Sequence, residues 1–383
     1  MTTQKIAELV AANEPRLLSR LRELVEIESP SEDKPAVDRA NALVAAWATD
    51  LGATVKRHRQ KKHGDVLELR FGPARSKRSR ILLLGHLDTV WPLGTLAKMP
   101  WREADGKIFG PGILDMKSGV IMALEALTAL KQLGPEHPGL DRPVTLLLNS
   151  DEEIGSPISR PITEKLARQC SAVFVLEPAQ GLAYKTARKG IGNYRLHVQG
   201  VASHSGVDFD RGHSAVLEMS RLVQTVSAFT DLGKGLTVNV GTINGGTRSN
   251  VVAAECTAEV DVRIVRATDA ARVDKLFRSL RVTDKTCKLT ITGGINRPPM
   301  ERKPGTVALF KQSRKLAAQL GFTLDEASTG GGSDGNFTAA LGVPTLDGMG
   351  SVGAGAHATH EHILRTHLTE RTALLASMLA TLD

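Results

Sequence analysis

Three short runs, Ile81-Leu82-Leu83-Leu84, Val144–Leu148 and Ala172–Leu176, are apolar at nearly every position, and they restrict the fold more than any other feature of the chain. Side chains alternate between the two faces of a strand, so a strand that is apolar throughout must be covered on both faces. Between these runs lie helical periodicities, over Ile6 to Ile27, over about Val37 to Leu51 with a stop at Gly52, and over about Met116 to Leu133 with a stop at Gly134. Strands alternating with helices predict an α/β fold with a mixed sheet between helical layers. Each buried strand runs into polar or acidic residues at its carboxyl end, where sites of α/β proteins form.

The pattern changes after Arg188. Residues 190–200 alternate, a helix is expected over about His213 to Phe229, strands at Thr237 to Ile243 and Val251 to Val265, a helix over about Asp269 to Leu280, and a strand at Lys288 to Thr292. The order strand-helix-strand-strand-helix-strand is that of a ferredoxin-like α+β unit. With 383 residues the chain exceeds a single ordinary core. Residues 1–187 and 298–383 are therefore expected to form one domain, closed by helices at about Gly305 to Leu320 and Leu368 to Leu382, with residues 188–297 inserted as a second.

Composition narrows the function classes. Hydrophobic residues at 41% and charged residues at 23% fit a globular protein. Nowhere do eighteen apolar residues run together and the start of the chain lacks the pattern of an export signal, so no membrane span and a cytoplasmic location are expected. Cys170, Cys256 and Cys287 are far apart and are expected to be small core residues in a reducing compartment. The net charge of +8 is densest from Lys56 to His63, followed by Arg75, Lys77, Arg78 and Arg80. No aromatic residue is interleaved there to stack bases, so the segment is expected to be a solvated hairpin and nucleic acid is not an expected partner.

His86 and Asp88 follow the first buried strand, two residues apart and so on one face of an extended segment. Gly110-Pro111-Gly112-Ile113-Leu114-Asp115 delivers a carboxylate at the start of a helix, where it could equally be a cap. Asp151-Glu152-Glu153 places three consecutive acids at the end of the second strand, and Glu177 repeats the placement at the end of the third. Acids so crowded repel one another unless a cation neutralises them, so a metal is the economical explanation.

His86-Leu87-Asp88-Thr89-Val90, Gly110-Pro111-Gly112 through Asp115-Met116-Lys117, Asp151-Glu152-Glu153, Glu177-Pro178, Ser203-His204-Ser205-Gly206, Gly330-Gly331-Gly332-Ser333-Asp334 and His357 with Glu361 stand in one order. In that order the chain resembles the glutamate carboxypeptidase (carboxypeptidase G) branch of the dizinc peptidases, a family that includes acetylornithine deacetylase and succinyl-diaminopimelate desuccinylase. The resemblance implies two zinc ions per chain, one held by His86, Asp115 and Glu177, the other by Asp115, Glu153 and His357, with Asp115 bridging. It implies Glu152 as the general base, Asp88 as acceptor of the second imidazole N–H of His86, and His204 as a donor to the scissile carbonyl. The family spacing of histidine to glutamate selects His357, although spacing alone leaves His360 nearly as good.

The same resemblance implies a zinc-peptidase catalytic domain whose inserted domain acts as a lid and joins a homodimer. The substrate it implies is an N-acyl amino acid, a folate-like compound or a dipeptide, cut at an amide next to a free carboxylate to release an amino acid, with glutamate favoured over other residues. Asn250, Arg263 and Arg297, with Gly331 and Gly332, are the candidate carboxylate site, since an arginine fork suits a carboxylate. Two other possibilities are a non-catalytic binding protein, which an intact Glu152 beside intact ligands opposes, and a serine hydrolase. For the latter, Gly331-Gly332-Ser333-Asp334-Gly335 matches Gly-x-Ser-x-Gly, with Asp347 and His357 following, but it leaves His86, Asp115, Glu152, Glu153 and Glu177 unexplained.

Overall fold

The structure is a computed structural model that describes residues 2–133 and 140–382. The chain divides into two compact units, Met1–Ala187 with Arg302–Thr329 and Ser333–Asp383, and Arg188–Glu301 with Gly330–Gly332. The second unit thus extends past Arg297, because Met300 and Arg188 exchange backbone hydrogen bonds, and it takes in the glycine loop.

The first unit is built on a six-stranded sheet in the order Thr54–His58, Val66–Phe71, Val144–Asn149, Ile81–His86, Ala172–Val175, Thr345–Leu346. The first three strands pair antiparallel and the last four parallel, so the sheet is mixed. The apolar runs supply both faces. Leu83, Leu146, Leu148 and Phe174 join a core with the helices Thr2–Ala12, Ser118–Gln132 and Leu368–Thr381, whereas Leu82, Leu84, Leu147 and Val175 face Leu166 and Ala167 of the helix Arg160–Ala167. Ser118–Gln132 is buried almost all round, as a helix in the middle of a layer must be. No described helix is long and apolar enough to cross a membrane.

The single helix expected from Ile6 to Ile27 is two, Thr2–Ala12 and Glu14–Val25. Pro15 accounts for the break, since it has no N–H and its ring clashes with the preceding turn unless it opens a helix. The basic segment also does more than face water. Thr54–His58 pairs antiparallel with the strand Val66–Phe71, so the expected hairpin forms, but its second strand is buried and not solvated. Fully buried Glu68 on that strand receives His58 at 2.7 Å and Arg70 at 2.5 Å, and Asp65 receives Lys34 at 2.7 Å and Arg59 at 3.0 Å. Part of the positive charge is thus spent on buried acids that would otherwise be costly.

The second unit is a four-stranded antiparallel sheet in the order Thr237–Gly245, Glu255–Ile264, Gly190–Gln199, Lys288–Arg297. The helices Ala215–Ser227 and Thr268–Ser279 share its core with Leu196, Val198, Val260 and Val262, and Tyr194 stacks on Phe277 at 3.7 Å between ring centroids. The last strand is longer than its apolar run. Gly293 and Gly294 look like a strand end, but a Cβ at Gly293, whose φ is +91°, would lie 2.0 Å from the Asn193 carbonyl across the ladder, so glycine continues the strand here. All three cysteines are free, with Cys256 and Cys287 buried in this unit.

Burial pushes the Glu68 carboxyl up, but its hydrogen bonds from His58 and Arg70 outweigh this and hold it below the usual range. A lowered folded-state pKa contributes stability that is fully present above the unfolded value of about 4.3 and is lost as pH falls through the folded value. Glu68→Gln is expected to lower unfolding stability by about 1–3 kcal/mol at neutral pH. It should also flatten the decline in stability below about pH 4.3 that is expected of the unmodified chain, with urea titrations at several pH values as the measurement.

Candidate metal centre

His86 is the last residue of its strand, in register with Asn149 of the neighbouring parallel strand. Its Nδ1 lies 2.9 Å from the Asp88 backbone carbonyl, which turns Nε2 toward Asp115 Oδ1 at 3.2 Å and Glu177 Oε1 at 3.7 Å. Asp115 does not cap the following helix, which has no side-chain cap; its second oxygen, Oδ2, lies 3.4 Å from His357 Nε2. His357 Nε2 is also 3.2 Å from Glu153 Oε2. Two trios result, His86 with Asp115 and Glu177, and Asp115 with Glu153 and His357, each with its ligand atoms within 4.8 Å of one another. His360 joins neither, so the choice left open by spacing falls on His357. The backbone of His357 has φ +62°, a left-handed conformation that costs a non-glycine residue about 1–3 kcal/mol and tends to persist at functional sites.

The electrostatics of the cluster are those of crowded acids around two imidazoles. Burial lowers His86, but the neighbouring carboxylates of Asp115, Asp88 and Glu177 outweigh it and hold the ring well above the usual histidine value. Hydrogen bonds to Asp115 and Glu153 push His357 up to about 10. Burial would raise Asp115, yet the two histidines hold it well below the carboxylate range, whereas burial and the Asp115 charge keep Glu153 raised. Glu153 Oε1 is buried without a hydrogen-bond partner among the described residues. Imidazole nitrogens and carboxylate oxygens 3.2–3.7 Å apart are close to the edge of about 3.4 Å that four ligands at 2.0–2.2 Å would span around zinc. The donor set, the bridging use of both Asp115 oxygens and the orphaned Glu153 oxygen all fit a pair of divalent cations.

The residues around the trios hold them by their backbone. The Asp88 carboxylate, expected on His86, lies 3.4 Å from Nδ1 and makes closer bonds elsewhere. It accepts the N–H groups of Glu152 and Glu153 at 3.2 and 3.1 Å and the hydroxyl of Ser31 at 2.7 Å, so it fixes the turn that carries both glutamates. Asp151 faces away, accepting the N–H groups of Ile158 and Ser159. Glu361, given no role above, accepts the N–H groups of Gly112, Leu114 and Asp115 at 2.9, 2.9 and 3.1 Å and the indole N–H of Trp91 at 2.8 Å. One carboxylate thereby ties the His357 segment to the loop bearing the shared ligand. Its position four residues past His357 was the available signal.

The remaining candidates lie in the second unit. The Arg263 fork is closed on Asp261, with Nε–Oδ1 at 2.8 Å and Nη2–Oδ2 at 2.9 Å, so the geometry that would suit a substrate carboxylate is already used. Arg297 is buried at the end of its strand, and a Cβ at Gly332 would meet its Cδ at 3.0 Å. Arg188, not singled out from the sequence, donates to the carbonyls of Gly331 and Gly332 at 3.3 and 3.1 Å. Exposed His204 lies beside Asn250, whose carbonyl accepts the Ser205 N–H at 3.0 Å. In the first unit, buried Ser333 donates to Asp347 at 2.6 Å and accepts the Gly335 N–H, while His357 is engaged in the metal trio. The serine is bound directly to the acid, so the serine-hydrolase arrangement is not assembled.

Because Glu361 positions the loop that carries Asp115, Glu361→Ala is expected to weaken metal affinity roughly 10- to 100-fold. Competition with a chromophoric chelator measures this, and an unchanged affinity in a folded variant would show that the loop holds Asp115 without it.

Comparison with known proteins identifies the family. The model of the peptidase family M20/M25/M40 matches residues 82–381. Carboxypeptidase G2 of Pseudomonas sp. (strain RS-16) is 30% identical over 375 residues, covering 96% of this chain and 89% of its own length. The acetylornithine deacetylase of Myxococcus xanthus is 28% identical over 285 residues, covering 70% and 72%. Among solved structures, the aminopeptidase PepT of Bacillus cereus shares the fold, with a TM-score of 0.78 at 21% identity over 96% of this chain and 98% of the other. The chain belongs to the peptidase family M20/M25/M40 and is a hydrolase.

Proposed function

We propose that this hydrolase cleaves an amide bond next to a free carboxylate, releasing a C-terminal amino acid from an N-acyl amino acid, a folate-like compound or a dipeptide. Glutamate is the favoured product, by the likeness to carboxypeptidase G2. Deacylation of N-acyl amino acids, or dipeptide cleavage, with a different amino acid is the second form, and the acetylornithine deacetylase relative supports it. Two zinc ions per chain belong to the proposal, held by His86, Asp115 and Glu177 and by Asp115, Glu153 and His357. The observation that carries it is the pair of trios sharing Asp115, with Glu152 on the same turn as Glu153.

Bound there, zinc would supply Lewis acidity toward the carbonyl oxygen and lower the pKa of water. The chain's own part is proton transfer and orientation. Asp88 holds the N–H groups of both glutamates, so Glu153 can be committed to the cluster while Glu152 takes a proton from the attacking water and returns it to the departing amine. Arg297, buried beside Gly332, and Arg263, paired with Asp261, are the candidates for the carboxylate, with Gly331 and Asn250 in the same unit. A cytoplasmic homodimer joined through the inserted unit, with His204 as donor to the scissile carbonyl, is part of the same proposal.

Glu152→Gln is expected to retain two zinc equivalents per chain by elemental analysis while kcat falls by about 10²–10⁴. Near-normal turnover in that variant would move the base elsewhere, and less than one equivalent in a fully active chain would remove the dizinc assignment. Selection for a free carboxylate requires a fixed cation, so replacing the carboxylate of the best substrate by a carboxamide should cost on the order of 2–5 kcal/mol in kcat/KM. Arg297→Ala should shrink that difference. Equal cleavage of acid and amide by the unmodified enzyme would contradict the carboxylate requirement.

A further inference from the structure

Among the described residues of the first unit, the large apolar side chains left exposed are Val90 at 41%, Leu93 at 52%, Ile154 at 41% and Leu182 at 48%. Single exposed apolar residues are ordinary. Their distribution here is not, because three of the four stand on the two segments that build the metal cluster. Val90 and Leu93 follow His86-Leu87-Asp88, and Ile154 is the residue after Glu153.

The loop carrying Val90 and Leu93 is tied down. Thr89 N–H donates to the Ser29 carbonyl at 2.8 Å, the Thr95 hydroxyl to the Pro92 carbonyl at 2.7 Å, and the Glu28 carboxylate accepts the N–H groups of Gly94 and Leu96, each at 2.7 Å. The indole of Trp91 is bonded to Glu361, the carboxylate that also holds the Asp115 N–H, which sets the half-buried Trp91 ring at the edge of the cluster. From Thr89 to Ala97 the chain carries no charged residue, although charged residues make up 23% of the whole. These exposed apolar side chains, next in sequence to the ligands and in part on a fixed loop without charge, offer nothing to a charged group and gain free energy when an apolar one covers them.

Resting on the amide-hydrolase reading above, we propose that Val90, Trp91, Leu93 and Ile154 receive the acyl half of the substrate, and that this half is an extended apolar or aromatic acyl group. The amino-acid half carries a carboxylate, for which an uncharged apolar surface has no partner. The apolar side chains beside the ligands suit the half that carries no charge. Acetyl is too small to cover them and succinyl would bring a carboxylate to them.

The test compares kcat/KM of the zinc-loaded full chain for N-acetyl, N-hexanoyl, N-benzoyl and N-succinyl derivatives of the one amino acid it releases fastest. Burial of a methylene is worth roughly a three- to fourfold preference, so the hexanoyl and benzoyl compounds should exceed the acetyl one by tenfold or more, with succinyl no better than acetyl. Leu93→Ser and Ile154→Ser should each pull the hexanoyl-to-acetyl ratio down severalfold. Leu182→Ser, an equally exposed change away from these segments, should leave the ratio as it was. All three positions are exposed, so the variants are expected to fold, and thermal unfolding checks this. A flat acyl profile, a succinyl preference, or an unchanged ratio in both Leu93→Ser and Ile154→Ser overturns the acyl-group inference while leaving amide hydrolysis standing. Cleavage of none of these compounds, nor of a dipeptide panel, removes the proposed amide substrate class and this inference with it.

Discussion

The candidate metal centre of the first unit depends on holding Asp115 between His86 and His357. Each oxygen of one carboxylate faces a different imidazole, with Glu177 on one side and Glu153 on the other. Three acids in so small a partly buried volume repel one another, and the repulsion is visible in their opposed tendencies: the histidines hold Asp115 charged, and burial with the Asp115 charge resists ionisation of Glu153. A divalent cation bound between them would relieve both.

Around it, other carboxylates serve a different purpose. Glu361 gathers three backbone N–H groups and an indole, Asp88 gathers two N–H groups and a hydroxyl, and Asp151 and Glu28 gather two N–H groups each. Loops at strand ends leave donors that no ladder satisfies, and a buried carboxylate satisfies two or three at once through charge-assisted bonds. The acids of the site therefore fall into those that face the histidines and those that fix the loops bringing them there. Glu28 and Glu361 between them also immobilise the stretch from Trp91 to Leu96, whose apolar side chains remain at the surface.

Much of this was legible beforehand. The doubly apolar strands required a sheet with helices on both faces, and the six-stranded mixed sheet has them. The residues that end those strands, His86, Glu153 and Glu177, do converge with Asp115 and His357. Less legible were features that depend on partners distant in sequence. The strand Val66–Phe71 lacks simple alternation because Glu68 is buried with His58 and Arg70, a satisfied polar site inside an apolar pattern. Arg263 looked like any arginine beside a site, and only the ladder shows that Asp261, two residues earlier on the same face, has closed its fork.

By itself the sequence determined the α/β class, the inserted α+β pattern and the kinds of ligand available, since these follow from local periodicity and from which polar residues end buried strands. The resemblance picked His357 and Glu153, but spacing and periodicity alone could not say which of His357 and His360 faces Asp115, which of three adjacent acids points into the cluster, or that the Asp88 and Glu361 carboxylates also gather backbone N–H groups. Those choices turn on the direction of a side chain at a left-handed residue and on N–H groups exposed where strands end, and both are set by the packing of segments far apart in the chain. Tertiary structure decided them because a carboxylate binds whatever donors the fold brings within about 3 Å, and sequence spacing does not fix which donors those are.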